Sequence, residues 1–283
     1  VEPPLERLKG GARGAGARPL ITPDDVRRTA REEGLAAGVV EKDYALTWLL
    51  RGLYLKDSGL RDVLVLKGGT AIRKVYFPET WRFSEDLDFT LIRKEGTERI
   101  RESIQQTFEA LLVESGINYS LESFHATEGT VIANVQFLGP LSFTNRIRQD
   151  ITLKEKMVLE PEWRAIKTKF RDLPEFDVLV YPLLEILVEK IRSIMQRGYS
   201  RDYYDVWRLF EEDRFRDSEI KSLLVQKCQL NRIEYQPSLL FHQSRLSEAS
   251  SFWVRGLTHL TRELPEFEAV VSGLKERLSF LKE

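Results

Sequence analysis

The sequence predicts an α+β protein, a mixed sheet-and-helix half followed by a helical half, with the boundary near residues 155–180. Three observations carry this. Strand-like runs, apolar or alternating, recur at 62–66, 86–92, 117–124, 130–137 and 146–153. A Gly-Gly-Thr turn at Gly68–Gly69–Thr70 joins the first buried run to a short amphipathic segment. Beyond Pro182 the apolar residues recur at helical spacing, and no internal repeat is visible.

The elements follow in order. Residues 1–19 are rich in Gly, Ala, Arg and Pro and read as a flexible arm. Their few charges favour a plain disordered start over a phosphate-binding arm. A helix starts at Thr22-Pro23-Asp24-Asp25, where Thr22 suits the cap, Pro23 the first turn and the acids the positive helix end; Gly34 stops it. A second helix, 37–56, has an apolar face built on Val40, Tyr44, Trp48 and Leu53. Its start, Glu41-Lys42-Asp43, is open between a solvated helix end and a chemical role. The strand at 62–66 enters the glycine pair, and the strand at 86–92 puts Phe89 and Leu91 on one side with Asp86, Asp88 and Thr90 on the other. A helix at 98–114 is stopped by Gly116, and three strands follow. The last of them places Arg148, Asp150 and Thr152 on one face. A polar loop around Pro161 and Pro174, a short strand at 177–180 and helices at 182–196, 201–211, 218–230, 237–262 and 265–281 complete the chain.

Composition narrows the function. The chain has 283 residues, 42% hydrophobic and 31% charged, enough for a substantial core. Its net charge of −1 gives no global basic field, so any nucleic acid must meet a local patch. A single cysteine, Cys228, rules out an internal disulfide and a multi-cysteine zinc site. No apolar run is long enough to span a membrane and no signal-peptide core is present, so a cytoplasmic protein with no membrane partner is expected.

The chemistry concentrates between Lys67 and Asp88. Asp86 and Asp88, one residue apart on a strand, point the same way and repel unless a cation lies between them. Oxygen ligands without Cys or His favour Mg²⁺ or Mn²⁺ over zinc. Asp150, on a later strand of matching alternation, is a third acid, and three such carboxylates suit a two-metal site. The glycine turn offers backbone N–H groups to an anion, and the hydroxyls of Thr70 and Ser84 suit phosphate hydrogen bonds. Lys190 lies along the apolar side of its helix, and spacing leaves open whether its stem merely covers the core or its ammonium reaches a phosphate. Arg192 reads as a surface residue; Arg197, near the helix end, could face a substrate. Asp202 and Asp205 share a face of the next helix; Asp202 suits the helix dipole, while Asp205 could orient Lys190 or contact a base or sugar. His125, His242 and His259 lack ligand spacing. Lys221, Lys227, Arg232, Arg245, Arg255 and Arg262 read as a solvated helix surface before a phosphate-binding face.

Several runs, Glu41–Tyr44, Leu66–Lys74, Arg82–Phe89, Glu189–Arg192 and Arg201–Asp205, resemble the AbiEii/AbiGii toxin family of the DNA polymerase β-like nucleotidyltransferase superfamily. The resemblance covers about residues 40–207. It implies a two-lobed polymerase β-like nucleotidyltransferase domain at 20–160, N-terminal helices included, and a helical C-terminal domain at 175–283 that completes the active site. It implies Asp86, Asp88 and Asp150 as metal ligands, and these three with Lys190 and Asp205 as catalytic residues. Lys67, Gly68, Gly69, Thr70, Arg82, Ser84, Lys190 and Asp202 are the implied nucleotide-binding set. The implied function is that of a toxin, often tied to phage defence, whose antitoxin is a separate winged-helix protein. The expected reaction is Mg²⁺-dependent transfer of NMP from an NTP to an RNA 3′ hydroxyl, with the tRNA acceptor end as the expected target. Nucleotide transfer to a protein, an NTP-binding module without turnover and RNA repair are the rival readings.

Overall fold

The computed structural model describes residues 20–212 and 214–282; the arm expected at 1–19 lies outside the described residues. Helix α1 (Pro23–Glu33) begins and ends on its sequence signals. Thr22 and Asp25 form a reciprocal capping box, and Gly34 closes the helix at φ 67°. Helix α2 (Ala37–Leu53) is buried on almost every side and packs against α1, the third long helix and two central strands. Its charged start is not solvated. Glu41 Oε1 accepts the Leu141 N–H at 2.6 Å, Lys42 lies 3.7 Å from Glu85, and Asp43 pairs with Lys74 at 2.6 Å.

Seven strands form one mixed sheet: β1 (Leu64–Lys67), β2 (Asp86–Leu91), β3 (Asn118–Ala126), β4 (Thr130–Leu138), β5 (Thr144–Thr152), β6 (Glu162–Ile166) and β7 (Phe176–Val180). Their order is β3-β4-β5-β2-β1-β7-β6. β2 runs parallel to β5 and antiparallel to β1, while β1 runs parallel to β7. Helix α4 (Thr97–Ser115), stopped by Gly116 at φ 70°, packs on α2 and β3. The short helix expected after the glycines is a single α turn, α3 (Gly68–Ala71), that widens into a π turn over Ile72–Tyr76.

The sheet corrects the reading of residues 155–180. The expected loop at Pro161 carries β6, and β7 pairs with β6 on one side and β1 on the other, so two strands of the sheet lie within this stretch. β6 was hidden because the alternation of Glu162-Trp163-Arg164-Ala165-Ile166 is short, follows Pro161 directly and carries only Ile166 into the core. It is an edge strand with its charges in water, and Trp163 is half exposed beneath the Arg61 guanidinium at 4.5 Å.

The helical half comprises α5 (Leu183–Gln196), α6 (Ser200–Phe210), α7 (Asp217–Leu230), α8 (Gln243–Leu257) and α9 (Phe267–Arg277). The single helix expected at 237–262 divides into a 3₁₀ turn, Pro237–Phe241, and α8. The break falls at His242, which adopts an extended backbone and caps α8 by accepting the Ser244 N–H. The expected basic surface also changes. Lys227 is fully buried and binds Glu185 at 2.9 Å, Glu189 at 2.7 Å and the Lys156 carbonyl at 2.8 Å. Arg262 pairs with Glu33 of α1 at 2.8 Å.

Candidate active site

Sheet register assembles the acids. Lys67 on β1 sits opposite Asp88 on β2, and Asp88 sits beside Asp150 on β5, so the three occupy one row on one face. Asp86 stands next to Arg148 in the adjoining row. The opposite face of β2 carries Leu87, Phe89 and Leu91 into the core, which fixes the direction in which the carboxylates point.

The glycines make room for this row. Gly68 has φ 71°, and a Cβ there would lie 2.5 Å from Asp88 Oδ2. A Cβ on Gly69 would lie 2.9 Å from Arg82 Nη2 and 3.2 Å from Ser84 Oγ. The space left by the glycine pair is thus occupied by a carboxylate and a guanidinium of the site itself. Thr70 is fully buried and donates to the Asp86 carbonyl at 2.5 Å, so its hydroxyl fastens α3 to β2.

Behind the acids lies a buried cluster of alternating charge. Asp205 accepts two bonds from Arg82, Nε at 2.8 Å and Nη2 at 2.7 Å. Lys190 Nζ lies 2.7 Å from Asp202 and 3.0 Å from Asp205, and Ser193 donates to Asp202 at 2.8 Å. Burial pushes the Lys190 ammonium down, but Asp202 and Asp205 outweigh it and hold its pKa above the ordinary lysine range. Burial likewise pushes Asp205 up, and Arg82 and Lys190 outweigh that and hold it below the ordinary range. Arg82, Asp202 and Asp205 therefore act on Lys190, fixing its position and charge.

Asp86 and Asp88 are different. Burial raises both pKa values; at Asp88 the neighbouring Asp86 adds to the rise, while Lys190 and Lys67 oppose it. Asp86 lies 3.8 Å from Arg201 Nη1. Among the described residues the Asp88 carboxylate accepts no hydrogen bond and makes no ion pair. Two partly buried, mutually repelling carboxylates, one without a partner among the described residues and the other only 3.8 Å from a guanidinium, fit a hard divalent cation. Asp150 is adjacent in register, but its carboxylate is held by Arg148 at 2.8 and 3.0 Å. Among the described residues no three His, Cys, Asp or Glu side chains converge on a common point that could hold a metal ion.

Two clefts meet at Asp88, Lys190, Arg197 and Asp202. The first, about 540 Å³, is lined by Lys67, Asp150, Thr152, Glu155, Arg192 and Asn231 among others. The second, about 420 Å³, is lined by Gly69, Ser84, Asp86, Tyr199, Arg201 and Phe252 among others. Ser84 makes no hydrogen bond among the described residues and borders the second cleft. Arg197 does face the clefts. Arg192, expected at the surface, is instead held by Glu155 at 2.9 Å and Glu189 at 2.6 Å. Glu155 also binds Lys67. Glu155 escaped the sequence reading because it follows β5 in a polar stretch with no periodicity. Arg201 lay in plain view in the Arg-Asp-Tyr-Tyr-Asp run, yet only its contacts with Glu85 at 2.6 Å and Asp86 mark it.

A family model described as nucleotidyl transferase AbiEii toxin, type IV TA system, matches residues 48–272. Among solved structures the chain is similar to MenT4, a nucleotidyltransferase toxin from Mycobacterium tuberculosis H37Rv. That match has a TM-score of 0.69 and 21% identity, and covers 93% of this chain and 90% of that one. No curated protein sequence matches.

Proposed function

The chain belongs to the AbiEii nucleotidyltransferase toxins of type IV toxin–antitoxin systems, and on that premise we propose that it moves NMP from an NTP to an RNA 3′ hydroxyl, the tRNA acceptor end, releasing pyrophosphate. The observation that carries this reading is the Asp86–Asp88 pair, partly buried and facing a fixed ammonium where two clefts meet. One cleft suits each substrate.

Asp86 and Asp88 would hold Mg²⁺ or Mn²⁺, which when bound supplies charge neutralisation at the reacting phosphates. Lys190, locked by Asp202 and Asp205, presents a permanent positive charge to the triphosphate from a water-poor site, where it counts for more than at the surface. Ser84 and Arg201 border the same cleft and donate to phosphate oxygens. Asp150 borders the other cleft with Lys67 and orients the attacking hydroxyl there. No side chain forms a covalent bond to substrate. The protein contributes position and charge, as phosphoryl-transfer chemistry demands. A separate antitoxin protein, of winged-helix type, completes the pair, and the reaction takes place in the cytoplasm.

The test is to incubate the protein with each α-labelled NTP, Mg²⁺ and total RNA. Label is expected on RNA together with pyrophosphate, and Asp86→Asn or Asp88→Asn should lower the rate at least about a thousandfold. Label on protein would replace the acceptor. NTP binding without pyrophosphate would replace the enzyme by a binding module.

A further inference from the structure

The second cleft carries a feature that the phosphate chemistry leaves unused. Tyr199 and Phe252 both line it, and both are about half exposed, 50% and 53%. Neither ring stacks on another aromatic ring among the described residues. Large aromatic rings left open to water beside a cluster of charged groups mark a binding surface.

The backbone that carries the two rings is fixed. Tyr199 occupies the cap position of α6 and Phe252 projects from α8. A Cβ on Gly198 would lie 2.4 Å from the Arg245 carbonyl oxygen, so the α5–α6 link is pressed directly onto the first turn of α8. The Gly198 N–H donates to Glu248 at 3.3 Å, and Ser200 Oγ donates to the Phe252 carbonyl at 3.5 Å. The Arg197 guanidinium lies 4.4 Å from the Tyr199 ring centre. The platform is therefore fastened by backbone contacts, and a cation sits beside one of its rings.

We propose that Tyr199 and Phe252 form a stacking site for the nucleobase of the incoming NTP. The inference rests on the transferase reading, because it is Ser84, Asp86 and Arg201 in the same cleft that assign this side to the nucleotide. The cleft has the volume of a small-molecule site, and its lining combines two aromatic rings with charged groups, as a base joined to a triphosphate requires. The first cleft, which holds Asp150, has no aromatic residue among the described residues of its lining. Stacking acts on the π-face that every base has, so the site holds the base without choosing among the four.

Binding of ATP and of CTP is measured by calorimetry with Mg²⁺, alongside tripolyphosphate, which has no base. Tyr199→Ala and Phe252→Ala should each weaken both nucleotides about five- to a hundredfold and leave tripolyphosphate unchanged. Tyr199→Phe should bind as wild type. Unchanged nucleotide affinity in both alanine variants would overturn the site, as would an equal loss for tripolyphosphate. Loss of RNA affinity with NTP affinity intact would move the rings to the acceptor and overturn the nucleotide assignment. Wild-type protein that binds no NTP overturns both this inference and the transferase reading. NTP binding that depends on the rings, with no label transferred, sustains the site and sinks the transferase reading alone.

Discussion

At the scale of single residues, the site is a set of conflicts between stability and chemistry. Asp88 is partly buried, has no hydrogen-bond donor among the described residues, and has a pKa pushed up by burial and by Asp86. Its charge opposes folding at neutral pH, since a carboxyl whose folded pKa is raised is penalised once it ionises. Asp88→Asn is therefore expected to abolish nucleotide transfer and, in EDTA, to raise the thermal midpoint by about 2 °C. A lowered midpoint would show that the carboxylate has a structural partner. Gly68 is the reverse case. Gly68→Ala places an L-residue at φ 71° and a methyl group against Asp88, so a loss of about 1–2 kcal/mol in urea unfolding is expected, together with loss of transfer. The Asp-x-Asp pair and the glycine pair were legible because local geometry alone fixes their direction and their spacing. That Thr70 holds β2, and that Arg82 fills the space beside Gly69, were not legible, since both depend on neighbours distant in sequence.

At the scale of elements, a chain of alternating charges stitches sheet to helices. It runs from Lys67 through Glu155, Arg192, Glu189 and Lys227 to Glu185. Glu185 also accepts the N–H groups of Val158 at 2.9 Å and Leu159 at 2.7 Å, tying the segment after β5 to the first turn of α5. Lys227→Ala would leave the fully buried Glu185 without its cation, and a loss of about 3–5 kcal/mol is expected by denaturant titration. A loss under about 1 kcal/mol, the value of a surface pair, would show that Lys227 is solvated as its helix pattern alone suggests. Helix caps survived the passage from sequence to structure at Thr22, Gly34 and Gly116, because a cap is a contact within one turn. The strand β6 and the division at His242 did not, because an edge strand is defined by its partner and a helix break by the packing on either side.

At the scale of the molecule, the buried cluster of Arg82, Asp205, Lys190 and Asp202 joins the segment leading into β2 to two helices of the second half. Asp205 has a folded pKa below its unfolded value of about 3.9. Its contribution is thus fully present above that value and is lost as pH falls through the depressed folded value. Asp205→Asn should cost about 3 kcal/mol at pH 7, and the gap to wild type should begin to narrow once urea midpoints are followed below that unfolded value. A gap that does not change with pH would assign the loss to packing rather than to charge. No helix among the described residues is long and apolar enough to cross a membrane.

By itself the sequence determined the mixed class, the strands that carry the acids, the helix caps and the family resemblance, all set by periodicity and by short runs whose geometry is local. Only the tertiary structure decided which charges meet. It took Lys227 and Arg192 off the surface, turned Asp205 and Asp202 into the anchors of Lys190, gave Asp150 to Arg148, and brought Tyr199 and Phe252 into the cleft that Asp86 and Asp88 line. A charged side chain keeps the same place in the sequence pattern whether it faces water or a buried partner, and the partner is chosen by packing across the sheet and the helices.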